Sequence, residues 1–120
     1  MPMLVRAYPI ATGVDALKQF GEKLLAERRA EVDAFYRKYG VSHESWHSQD
    51  IAGTTWLICC DNMKEPVSAA AEYSAATDAF DVWFKQEVLR LTGVDPNKTP
   101  FGPPSEMIFC WDDPDVKKAG

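Results

Sequence analysis

No apolar run in this 120-residue chain approaches the roughly 20 residues of a membrane-spanning helix. Its opening stretch, MPMLVRAYPIATG, is interrupted by Arg6 and lacks the basic start and small-residue cleavage site of a secretory leader, so export is not expected. Positive charge is also short: 13 Lys and Arg stand against 18 Asp and Glu, a formal charge of −5. Without a dense basic cluster, a nucleic-acid backbone or an anionic membrane would be repelled rather than steered, and neither is expected as a partner. Cysteine is scarce and odd in number. Cys59, Cys60 and Cys110 sit inside apolar runs without CxxC spacing, which fits reduced thiols in a cytoplasmic core better than a disulfide framework or a metal site. The phosphate loop, the GxSxG elbow and the dinucleotide fingerprint are missing too, so ATP, NAD and serine-hydrolase chemistry have no residues to work with, and no cofactor is expected.

What is present fits one globular domain. Hydrophobic residues make up 46% and charged residues 26%, and the length suffices for one core. We assign residues 1–113 to that domain and 114–120 to a charged, flexible tail. Met3 to Ile10 is rich in β-formers and reads as a strand ending at Pro9. From Val14 to Tyr39, Leu17, Phe20, Leu24, Val32, Phe35 and Tyr39 recur at helical spacing, which predicts one long amphipathic helix stopped by Gly40. VSHESWHSQD, the turn Ile51-Ala52-Gly53 and TTWLICCD then predict a β-hairpin.

Asn62 and Glu65 have the spacing of a helix-capping box. The segment after them holds a small, alanine-rich piece and a bulky piece carrying Phe80, Trp83, Phe84, Val88 and Leu91, with a bend expected near Ala75 to Asp78 and a stop at Gly93. DPNKTPFGPP, with four of the eight prolines, excludes regular structure. SEMIFCWD, Ser105 to Asp112, reads as a last strand.

The order β-α-β-β-α-β is that of an α+β, ferredoxin-like sandwich: a four-stranded antiparallel sheet with two helices on one face. A sheet covered on one side should alternate apolar with polar residues. Here Trp56, Ile58 and Cys60 oppose Leu57 and Cys59, and Met107, Phe109 and Trp111 oppose Ile108 and Cys110. Two helices cover one face only, so a second copy packed sheet to sheet, a homodimer, is expected on the other. Strand lengths, the long first helix, the broken second helix and the doubly apolar sheet resemble the dimeric α/β-barrel superfamily. Within it, GVSHESWHSQD, TTWLICCDN and TDAFDVWF resemble an uncharacterised family of small single-domain proteins. Members of that family often carry a histidine in the last motif, where this chain has Phe84.

His43-Glu44-Ser45-Trp46-His47 matches the H-E-x-x-H zinc signature, which works only on a helix. On a strand the two imidazoles stand about 13 Å apart and cannot share an ion. Gly40 has just ended a helix, so the strand reading is preferred and no metal is expected. Two readings of this strand stay open. It is either an edge kept polar against stray pairing, or the source of the few polar groups in an apolar pocket. In the second reading Glu44, His47 and His43 are the candidates for moving a proton, and of these the resemblance places Glu44. Arg6 is expected to pair with Asp61 or Glu106, or to hold an anionic ligand. Tyr8, Trp46 and Trp83 are candidates for walling a flat aromatic ligand.

The resemblance implies an unidentified small organic ligand and, as one hypothesis, an enzyme similar to the cofactor-independent monooxygenases and isomerases of the superfamily, acting on an aromatic or organic-acid substrate. The competing hypothesis is a non-catalytic binding or accessory module with the same cavity. Haem binding is a distant third.

Overall fold

The computed structural model describes residues 3–10 and 12–116; residues 117–120 of the expected tail lie outside the described residues. The chain runs β1 (Met3–Pro9), α1 (Val14–Glu27), α2 (Arg29–Lys38), β2 (Val41–Ile51), β3 (Thr54–Met63), α3 (Pro66–Ala75) and α4 (Ala79–Thr92). It is a small α+β fold with a three-stranded antiparallel sheet in the order β1-β3-β2 and four helices.

The hairpin sets the register of everything around it. Ala52 (φ 52°) and Gly53 (φ 83°) both take positive φ, the pattern of a two-residue turn whose twist matches its strands. With Ile51 opposite Thr54, the ladder then places Trp46 opposite Cys59 and Glu44 opposite Asp61. A bulge between Val41 and His43 absorbs one residue and turns Val41 back toward Met63. Alanine pays a steric penalty at positive φ that asparagine partly escapes. Ala52→Asn is therefore expected to stabilise the chain by about 0.5–1 kcal/mol, read as a small rise in urea midpoint at unchanged slope.

Alternation along the strands decides what faces the helices. Tyr8 of β1 and Leu57, Asp61 and Met63 of β3 are buried on the inner face. Above them pack Leu17, Phe20 and Leu24 from α1, Val32, Phe35 and Tyr39 from α2, Ala69 and Tyr73 from α3, and Phe84 and Leu91 from α4. Aromatic contacts dominate this layer: Phe35 lies 4.7 Å from Phe84, 5.2 Å from Tyr39 and 5.8 Å from Tyr73, centroid to centroid. The outer face has no helix on it. It carries Val5 and Ala7 exposed, with Trp56, Ile58 and Cys60 half-buried.

The structure differs from the sequence expectation at three places. The single long helix is two, because Arg28 leaves helical geometry (φ −128°, ψ 27°) while its guanidinium lies 4.1 Å above the Trp83 ring and pairs with Glu31 at 2.8 Å. The apolar spacing from Leu24 to Val32 continues in phase across the break, so periodicity carries no sign of it. Asn62 caps nothing: β3 runs through it, and α3 starts at Pro66, whose missing N–H costs nothing in a first turn. The third difference is the fourth strand of the ferredoxin-like order. Ser105 to Asp112 takes no regular secondary structure and joins no sheet, and it is exposed throughout.

The break between α3 and α4 falls at Ala76 to Asp78, where a bend is expected. Lys85 holds it. Its buried ammonium donates to the carbonyls of Tyr73 (3.0 Å), Ser74 (3.3 Å) and Ala76 (2.9 Å), satisfying the open end of α3. Lys38 does the same work between α2 and α4 by reaching the buried Asp81 carboxylate at 2.9 Å, which Tyr39 also contacts. The proline-rich loop after α4 folds back on the core. Phe101 stacks on Tyr73 at 6.1 Å and Gly102, at φ 81°, lies flat against the Tyr8 ring with no room for a side chain.

Candidate functional site

Between the sheet, the helices and this loop lies a cavity of about 90 Å³. Tyr8 and Leu57 form its floor, Phe20, Phe35, Tyr36 and Phe84 its helical wall, and Pro100, Phe101 and Gly102 its loop wall. Into this apolar lining β2 and β3 bring two carboxyl groups, Glu44 and Asp61.

The hairpin register explains why these two meet. Glu44 and Asp61 are direct cross-strand partners, and partners on one face stand within about 5.5 Å. Two carboxylates so placed, away from water, repel strongly, and the relief is to keep a proton on one of them. Burial pushes the Glu44 carboxyl well above the usual carboxylate range; the Asp61 charge adds to the rise, and hydrogen bonds with Tyr36 and Trp46 only partly offset it. Glu44 lies deep in the protein yet keeps some open surface, because that surface is cavity wall.

Asp61 is 5% exposed and is also raised by burial, but the Glu44 hydrogen bond and the charges of Arg6 and His43 pull it back down. The two environments thus differ: Glu44 is the group that holds the proton and Asp61 the group that gives it up first. The Asp61 Oδ1 atom is buried without a hydrogen-bond partner. Tyr36 is pushed well above its ordinary value by burial and by Glu44, so it stays a neutral hydroxyl. Burial pushes the Cys59 thiol up to about 12, which leaves it inert as a nucleophile in neutral solution.

The candidates named from sequence separate cleanly in space. Glu44, Tyr8 and Trp46 line the cavity, with Trp46 stacked on Phe20 at 6.0 Å and 10°. His43 and His47 lie on the opposite face of β2, exposed, and His47 Nε2 is 2.9 Å from Ser45 Oγ. They share no site with Glu44, and among the described residues no group of three or more His, Cys, Asp or Glu side chains is placed to hold a metal ion. Trp83 sits on the outside of the helical layer, 5.6 Å from Phe20 and beneath Arg28.

Arg6 makes no ion pair with Asp61 or Glu106 among the described residues. It donates to Ser105 Oγ at 3.2 Å and to its neighbour's carbonyl, and its Nε is buried without a partner. Three residues of the site carried no signal in the sequence taken singly: Tyr36, Tyr73 and Phe101. Compared with family models, with curated proteins and with solved structures, the chain matched none.

Proposed function

We propose that this protein binds a small, largely apolar molecule in the cavity and moves a proton on it, in the manner of a cofactor-independent isomerase. The observation that carries this reading is the Glu44–Asp61 pair on an otherwise apolar wall. Glu44, protonated, donates a hydrogen bond to a ligand carbonyl. Asp61, through its unpartnered Oδ1, accepts a proton from the adjacent carbon. The C–H electron pair becomes the C=C bond of an enol, the carbonyl oxygen takes the Glu44 proton, and the reverse steps return a proton to the same α-carbon, exchanging its hydrogen or inverting it.

Two carboxyl groups favour a neutral ligand over an organic acid, and Arg6, the one candidate for holding an anion, is not part of the cavity wall. The size is a further constraint: the cavity is smaller than the apolar hole of about 150 Å³ that takes up benzene in an engineered protein. A short-chain ketone fits this limit.

The test uses acetone and butanone as probes in deuterated buffer, with deuterium uptake at the α-carbon followed by NMR. The native chain is expected to speed uptake at least 100-fold over Glu44→Gln and Asp61→Asn. Binding without faster uptake would leave the non-catalytic module in its place.

The finer reading of the fold belongs with this proposal. Ser105 to Asp112 would complete a four-stranded, ferredoxin-like sheet, and two copies would pack sheet to sheet as a dimeric α/β barrel in the cytoplasm. The uncovered outer face with Val5, Trp56, Ile58 and Cys60 supports it, since an apolar surface of that extent in water favours association.

A further inference from the structure

The proline-rich loop is built differently from the rest of the cavity wall. Strands and helices supply most of the other lining, and their backbone groups are tied into ladders and turns. In the loop, Pro100, Pro103 and Pro104 have no N–H to give. Its backbone bonds stay within it: Lys98 and Thr99 donate to the Asp95 carbonyl at 3.0 and 2.8 Å, and Gly102 donates to the Thr99 carbonyl at 3.0 Å. Among the described residues, no hydrogen bond joins Pro100 to Pro104 to the sheet or the helices.

Apolar contact alone holds this span down. Phe101 lies nearly parallel to the Tyr73 ring, at 12°, and Gly102 rests on the Tyr8 ring. Firm points flank it. Pro96 is fully buried on one side; on the other, the Ser105 hydroxyl accepts from Arg6 at 3.2 Å and donates to the Val5 carbonyl. A proline-stiffened span between fixed ends, with no polar tie to the body, lifts as a unit without opening the core beneath it.

We infer that Pro100 to Pro104 is a lid, and that ligand enters the cavity where Phe101 and Gly102 lift off Tyr73 and Tyr8. This rests on reading the cavity as a ligand site and not on its proton chemistry. Closure completes the apolar lining around the Glu44–Asp61 pair, and opening admits and releases the ligand.

Cys59 reports the opening. It lines the cavity, and its thiol lies beside the hydroxyl of Tyr8, the residue that Gly102 covers. Because burial pushes this thiol up, it reacts from the open form, where water reaches it and its ordinary acidity returns.

The test uses the full chain carrying Cys60→Ser and Cys110→Ser, which leaves Cys59 as the single thiol. It is treated with methyl methanethiosulfonate in mildly alkaline buffer, and labelling is followed by mass spectrometry. The rate is expected to be almost unchanged by urea well below the unfolding midpoint, since lifting the lid exposes little surface. Gly102→Ala is expected to speed labelling about 10-fold or more with the same flat urea response, because the added Cβ would stand 2.7 Å from the Tyr8 ring and hold the lid off. Phe101→Ala is expected to speed it as well, by removing the clasp on Tyr73. A Gly102→Ala rate that falls or stays the same overturns the lid, because an extra methyl on a fixed wall only tightens it. A native rate that climbs with urea as steeply as global unfolding overturns it too. Labelling needs no ketone, so either result leaves the deuterium-uptake test of the carboxyl pair to stand or fall separately.

Discussion

Replacing Glu44 with glutamine will make the folded chain more stable at neutral pH and will remove most of the slope of its stability against pH. A buried acid whose pKa is raised on folding keeps a proton that the unfolded chain has already released. Stability then falls as pH rises, by about 1.4 kcal/mol for each pH unit over which the two states differ by that one proton. The full contribution is present below the unfolded value of about 4.3, and it is lost progressively until pH passes the folded value, which lies well above. Asp61 is raised as well and acts with the same sign over the acid side of that window.

The groups facing Glu44 from other elements are Tyr8 on β1, Tyr36 on α2 and Tyr73 on α3, with Cys59 beside it on β3. All are raised, so they remain neutral through the window and leave the slope to the carboxyl pair. The amide of the variant can donate to Asp61 as the protonated acid does, without the penalty of ionisation. We expect a gain on the order of 2 kcal/mol at neutral pH and little change near pH 4, measured by urea unfolding across pH. A native stability that rises from pH 4 to neutrality with an unchanged slope in the variant would contradict this assignment.

Removing the Phe35 ring is expected to be the most damaging single truncation in the helical layer. That ring touches Tyr36, Tyr39, Tyr73, Phe80 and Phe84, each within 5.8 Å centroid to centroid, and so ties α2 to α3 and α4. Phe35→Ala opens a hole that rigid neighbours cannot fill, at a cost of about 3–5 kcal/mol. For a domain of this size that lowers the melting midpoint by roughly 10–20 °C. The new hole adjoins the existing cavity, because Phe35 is part of its wall. Enlargement makes a specific expectation: cyclohexanone should bind the variant more tightly, relative to acetone, than it binds the native chain. A melting midpoint within a few degrees of native would show that the aromatic layer is less tightly interlocked than its geometry implies.

Local chemistry made much of this architecture legible. The first strand ends at a proline, a hairpin turns close to the expected Ile51-Ala52-Gly53, with Ile51 itself kept in the strand, and the second helical segment breaks beside Asp78, each a short-range effect of backbone preference. The facing of Glu44 and Asp61 was not among the expectations: a three-residue turn at Ile51-Ala52-Gly53 would set Asp50 opposite Thr54 and Glu44 opposite Cys60, and the observed turn shifts the pairing by one residue. A two-residue turn fixes the pairing of the whole hairpin, so once Ile51 opposes Thr54, Glu44 must oppose Asp61. The same parity sends His43 and His47 to the other face, which is why a motif that reads as one unit along the chain is divided in space.

What escaped depends on contacts distant in sequence. The kink at Arg28 is held from α4 by Trp83, and no pattern within the helix records it. Tyr36 and Phe101 reach the cavity through packing that periodicity cannot specify. Ser105 to Asp112 has the composition of a strand, but composition does not say which strand, or whose, it pairs with.

One proton shared by the Glu44–Asp61 pair inside the cavity at neutral pH underlies both the proposed chemistry and the expected pH dependence. Infrared difference spectroscopy reads it most directly, as the carbonyl stretch of a neutral carboxylic acid in the native chain minus that of Glu44→Gln. At pH 7 a band is expected that disappears in the variant and, in the native chain, fades only at higher pH. A native spectrum at pH 7 showing ionised carboxylates alone would contradict it.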